Sequence, residues 1–138
     1  MSMLLKDIMS KAVVTVEPED TLALVKQMFH LGKFHHVLVL EQGALTGVVS
    51  DRDLYKALSP NLDTPVESYR DTATLNKTVR EIMTRQPIVL TEDATVDDAI
   101  DIFTAHVISC IPIVSQQGKL LGIISWRDIL RNLRSLPG

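Results

Sequence analysis

A chain of 138 residues with 46% hydrophobic content can bury one sizeable core, whereas a lone unit of about 54 residues would be marginal. Fourteen Lys and Arg against seventeen Asp and Glu give a net charge of -3 with no basic run, which argues against a nucleic-acid partner. The longest apolar runs, 37–40 and 111–114, are far below the roughly 20 residues of a membrane span. No signal-peptide pattern opens the sequence and Cys110 is its only cysteine, so a cytoplasmic protein is expected.

In chain order, residues 5–9 read as a short helical approach and 13–16 as a strand ended by Glu17-Pro18. Leu22, Val25, Met28 and Phe29 then recur at helical spacing, which predicts a helix over 21–31 with Asp20 or Thr21 as N-cap and Gly32 as its stop. Two apolar runs, 37–40 and 45–49, flank Glu41-Gln42-Gly43-Ala44 and predict a hairpin. A closing helix is expected over 51–58. Residues 59–74, rich in Pro, Asp, Ser and Thr and without a period, read as a surface linker.

The same series then returns. A helical approach is predicted over 75–83, a strand over 88–90, a helix over 95–106, a hairpin from 111–114 and 120–124, and a closing helix over 126–133. From Lys6 and Arg80 the halves align at an offset of 74, which one extra residue near Gln117 lengthens to 75. Gly47-Val48-Val49-Ser50-Asp51-Arg52-Asp53-Leu54 thus reappears as Gly122-Ile123-Ile124-Ser125-Trp126-Arg127-Asp128-Ile129. The expected architecture is mixed α+β: two β-α-β-β-α repeats, 1–58 and 75–138, joined by the linker 59–74. Stacked repeats share a core, so a pseudo-twofold module is expected.

The Ile-Met-(Ser/Thr) openings at Ile8 and Ile82, the following Val-rich strand, the run from Ser109 through Pro112 to Val114, and the doubled Gly-h-h-Ser-x-x-Asp together resemble a tandem pair of CBS domains, the Bateman module. The first copy departs from the pattern with Leu38 where the second has Pro112. A pair this short is similar to CBS proteins of the acetoin-utilisation type. The resemblance implies a regulatory module, not an enzyme. It would bind AMP, ADP, ATP or S-adenosylmethionine between the copies, with no obligatory cofactor, and signal as a homodimer to a separate protein. By position it makes Asp53 and Asp128 the ribose acceptors, sets Ser50 and Ser125 beside a phosphate, and offers Arg52 and Arg127 as counter-charges. Adenine would lie between the loop before the first strand, Ala12 to Val14 or Gln86 to Ile88, and the start of the second strand, His36 to Leu38 or Cys110 to Pro112. Because His36 would reach the phosphate of the Asp128 cleft and only the uncharged Cys110 that of the Asp53 cleft, Asp128 is expected to mark the better site.

Blander readings compete with these. Gly47 and Gly122 suit tight packing without a ligand, and the serines and aspartates suit helix capping. His30, His35, His36 and His106 lack a metal-ligand spacing, and no nucleophile elbow, zinc pair or phosphate-binding loop is found. The alternative function is a dimerising adaptor that needs no ligand.

Overall fold

The computed structural model describes residues 3–133. Its elements confirm the repeated series: β1 (Thr15–Val16), α1 (Leu22–Leu31), β2 (His36–Glu41), β3 (Ala44–Ser50) and α2 (Asp51–Ala57) in the first copy, then β5 (Leu90–Thr91), α5 (Val96–Ala105), β6 (Cys110–Val114), β7 (Leu120–Ser125) and α6 (Trp126–Arg131) in the second. Between them lie α3 (Tyr69–Ala73), α4 (Val79–Ile82) and β4 (Thr84–Arg85). The first strand of each copy is shorter than its apolar run predicted. No helix is long and apolar enough to cross a membrane among the described residues.

The compact units divide the chain differently from the repeats. One is contiguous, Val14–Gln86; the other is split, and joins the described residues up to Val13 to those from Pro87 onward. Each repeat therefore surrenders its helical approach to the unit built on the other repeat. In the contiguous unit Leu22 N donates to Lys77 O at 2.9 Å and Val79 N to Asp20 O at 2.8 Å; in the split unit Leu5 N donates to Ala94 O at 2.9 Å and Val96 N to Met3 O at 2.8 Å. Leu5 and Val79, which lie at matching points of the two approaches, are both fully buried.

In the contiguous unit the sheet order is β1-β2-β3-β4, with β1 parallel to β2 and the other pairs antiparallel. Val37, Val39 and Val49 face α1 and α2 through Leu22, Val25, Phe29 and Leu54 in one core. The split unit orders β5-β6-β7, and Ile111, Ile113 and Ile124 meet Leu5, Val96, Phe103 and Ile129 in a second. There Ser10 takes the place of β4, exchanging backbone bonds of 2.9 Å with Ile123.

Gly47 and Gly122 owe their identity to this exchange. A Cβ on Gly122 would lie 2.7 Å from Met9 Sδ and 2.8 Å from Ser10 O; on Gly47 it would meet Met83 Sδ at 2.6 Å and Thr84 O at 3.0 Å. The β2–β3 turn holds Gln42 and Gly43 at φ 52° and 82°, the left-handed pair that a two-residue hairpin loop requires. Gly32 ends α1 by another route than a left-handed cap: its φ is -105°, and a Cβ would collide with the Phe34 ring.

The stretch 59–74 is more ordered than its composition predicted. Asp71, on α3, is buried and accepts hydrogen bonds from Ser59 Oγ at 2.6 Å and Ser68 N at 2.7 Å. Lys26 pairs with Asp63 at 2.8 Å, which ties this stretch to α1.

Candidate functional site

Within each unit the register brings the predicted residues to one end of the sheet. In the split unit Cys110, first in β6, is paired with Ser125, last in β7, and Pro112 with Ile123. Ser125 is the N-cap of α6 and Asp128 its N3 residue, so both converge beside the start of β6. In the contiguous unit His36 is paired with Ser50, the N-cap of α2, and Asp53 is N3. Val14 lies next to β2, its carbonyl accepting from Leu38 N at 2.9 Å. Ile88 occupies the matching place, half-buried, two residues ahead of β5.

Ser-x-x-Asp is in both copies a capping box. Ser125 N and Oγ donate to Asp128 Oδ2 at 2.8 and 3.0 Å, and Asp128 N donates to Ser125 Oγ at 3.4 Å. Ser50 N donates to Asp53 Oδ2 at 3.0 Å, and Asp53 N returns the bond to Ser50 Oγ at 3.0 Å. The capping function expected of these residues is thus present, and it occupies one carboxylate oxygen. Asp128 Oδ1 lies 3.8 Å from the guanidinium of the exposed Arg131, and the Asp128 side chain keeps 13% of its surface. The aspartate is consequently an oriented acceptor, fixed through one oxygen and offering the other. The same box recurs at Ser68/Asp71, Thr78/Glu81 and Thr95/Asp98. The motif by itself therefore marks helix starts; only the two copies at the strand ends combine it with an apolar strand beginning.

Arg52 and Arg127 are exposed, at the second positions of α2 and α6. The residues preceding them differ in kind. Asp51 accepts from His35 Nδ1 at 2.9 Å, while Asp51 N donates to His35 O at 2.9 Å. Trp126, at the matching position, packs on Phe103 with ring centroids 4.9 Å apart and stays 36% exposed. The sequence alone assigns it no role; its place in the fold is a lid on α5 beside the Ser125/Asp128 box. Among the described residues no three His, Cys, Asp or Glu side chains are grouped as a metal site would need.

Two capped strand-to-helix corners, one on each sheet at matching points of the repeat, define a tandem repeat module. The CBS-domain family model matches residues 5–60 and 79–135, and the chain belongs to that family as a CBS domain pair. It is 30% identical over 154 aligned residues to the uncharacterized protein MJ1426 of Methanocaldococcus jannaschii, covering 95% of this chain and 91% of that one. Its fold is similar to the CBS domain pair of protein MJ0100, solved in complex with 5′-methylthioadenosine and S-adenosyl-L-methionine. That pair has a TM-score of 0.80 at 26% identity over 98% of both chains. It is also similar in fold to a putative acetoin utilization protein (AcuB) from Vibrio cholerae, with a TM-score of 0.75 at 20% identity over the whole of both chains.

Proposed function

We propose that this protein is a regulatory module that senses an adenosine-containing metabolite, AMP, ADP, ATP or S-adenosylmethionine, in the cleft between its CBS repeats and signals to a partner protein. The observation that carries the reading is the corner at Ser125 and Asp128. One oxygen of Asp128 is locked by the helix cap of Ser125, which is paired with the first residue of β6, and the other, 3.8 Å from the exposed Arg131, is left to accept from a ribose hydroxyl. The two ligands of the MJ0100 pair, 5′-methylthioadenosine and S-adenosyl-L-methionine, are of this chemical class. Signalling requires the ligand to bind two arrangements of the module with different affinities, because equal binding shifts nothing.

Ser125, Arg127, Ile88, Cys110, Pro112 and His36 accompany Asp128 in the stronger site, and Val14, Ser50, Arg52 and Asp53 form the weaker. A homodimer is part of the proposal. Of the closing-helix residues available to an interface, Leu54 and Ile129 are consumed by the two cores, whereas Leu130 and Leu133 remain 58% and 50% exposed.

The test is a thermal-shift titration of nucleotide-free protein with the four ligands. At a hundredfold excess over Kd a ligand adds about 2.7 kcal/mol, or roughly 10 °C in midpoint. Asp128→Ala should abolish the shift, but it also removes a helix cap. The Asp98→Ala variant controls for this: it breaks the same kind of box on α5, in the same unit, and should leave the shift intact. No shift with any of the four ligands would refute the sensor and favour the ligand-independent adaptor.

A further inference from the structure

The helices that cover the two sheets occupy matching places but carry unlike surfaces. On α1, Leu24, Gln27 and Leu31 recur at helical spacing on an exposed face, Leu31 with 75% of its surface free, and the helix holds no acid. The repeat sets these three over Asp98, Asp101 and Ala105 of α5, a helix with three aspartates and no base. The closing helices differ as well. Arg52, Tyr55 and Lys56 are exposed together on α2, whereas Leu130 is exposed on α6 and Leu133 just beyond its end. Since α1 and α2 cover one core, and Phe103 on α5 packs against Trp126 on α6, each pair of helices presents one surface. Among the described residues Arg52, Lys56 and Asp101 enter no ion pair.

We propose that two copies of the chain associate through unlike units, the α1/α2 surface of one copy seated on the α5/α6 surface of the other. This rests on the homodimer of the functional reading above and gives it an orientation. Leu24 and Leu31 meet the partner's Leu130 and the partner's Leu133, while Arg52 and Lys56 meet the partner's Asp98 and the partner's Asp101. Apolar area thus covers apolar area, and bases face acids. A two-fold dimer makes each contact twice. Pairing like units is opposed by charge. It sets Arg52 and Lys56 against their own copies, on helices whose only acids, Asp51 and Asp53, are engaged by His35 and by the helix cap. It also brings the aspartates of α5 towards one another, and like charges facing across an interface weaken it.

The experiment is sedimentation equilibrium of the full chain at low salt, on wild type, Lys56→Glu, Asp101→Lys and the two combined in one chain. Wild type should dimerise. Either single reversal sets like charges together in both copies of the contact and should raise the dimer Kd by about tenfold; one exposed pair is worth little, but symmetry doubles it. The combined variant restores opposite charges and should return to within about threefold of wild type. In a dimer of like units the same variant faces glutamate with glutamate and lysine with lysine. A combined variant that dimerises no better than the single ones therefore overturns the proposal, as do single variants that dimerise like wild type. Should a reversal unfold the chain, Lys56→Gln and Asp101→Asn stand in, and combining them should cost no more than either alone; additive costs overturn the proposal. Each of these outcomes leaves the homodimer and the sensor standing. Wild type that stays monomeric overturns the orientation and the homodimer together.

Discussion

Replacing Leu5 with alanine tests the exchange of the helical approaches, because Leu5 is remote in sequence from the core that it fills. It is fully buried among Val96, Ala99, Phe103, Ile111, Ile113, Ile124 and Ile129, and its backbone is held by the 2.9 Å bond to Ala94. Truncating a buried leucine costs about 2–5 kcal/mol, the upper part applying where the pocket cannot collapse. The sheet and the two helices around Leu5 resist collapse, while the approach itself is a short 3-10 turn, Leu5–Asp7, that can shift inward. A cost of about 3 kcal/mol is therefore expected, near 10 °C in Tm for a chain of this size. Denaturation followed by the fluorescence of Trp126, the only tryptophan, should register it. Hydrogen exchange should locate it: protection should fall first over 96–105 and 110–131, with 14–86 following later. Val25→Ala, in the other core, should reverse that order. A cost below about 1 kcal/mol, or early loss of protection in 14–86 with Leu5→Ala, would refute the assignment of residues 3–13 to the split unit.

Gly122→Ala forces a methyl group onto Met9 Sδ and the Ser10 carbonyl, and should break the Ser10–Ile123 bridge with a loss of about 1–3 kcal/mol by thermal melting; Met9→Ala should recover part of it, since the sulfur can yield where the carbonyl cannot. The hydrogen bonds from Ser59 and Ser68 hold the Asp71 carboxyl below the ordinary carboxylate range. That contribution is complete above the unfolded pKa of about 3.9 and is lost as pH falls through the lower folded value. Wild type should therefore exceed Asp71→Asn in Tm at neutral pH, with the gap closing on acidification below about pH 4; a constant gap would deny the carboxylate its role. Trp126, two residues from Asp128, should change emission when an adenosine ligand binds, and Asp128→Ala should silence the change while Asp98→Ala preserves it.

Much of this was legible because periodicity and repetition agreed. Leu22, Val25 and Phe29 are buried at the spacing that predicted α1, and the doubled Gly-h-h-Ser-x-x-Asp marks strand ends and helix starts at matching points of both copies. What escaped was non-local. Nothing within residues 5–9 says that Leu5 belongs beside Phe103 and not beside its neighbour in sequence, Val16, because either core offers the same apolar surface to a short amphipathic turn. The glycine at 122 could be read as tight packing, but its partner, Met9, lies 113 residues earlier. Asp71 was hidden for a different reason. In a segment of Ser, Thr, Asp and Pro, only its spacing from Ser68 hinted at a cap, and its burial depends on Ser59 folding back on it.

The glycine-to-methionine contact and the Ser10–Ile123 bridge also impose an order in time. Residues 14–86 form a contiguous unit whose native partners are all made by residue 86, whereas the arm ending at Ser10 finds its partner strand only when residue 123 has been made. Synthesis at about 5–20 residues per second leaves Met3, Leu5 and Met9 without their native core for several seconds. During that interval the arm of one nascent chain can pair with the finished second repeat of another. The same topology that knits one molecule together thus carries a kinetic route to arm-exchanged dimers, favoured by crowded translation and suppressed by dilution.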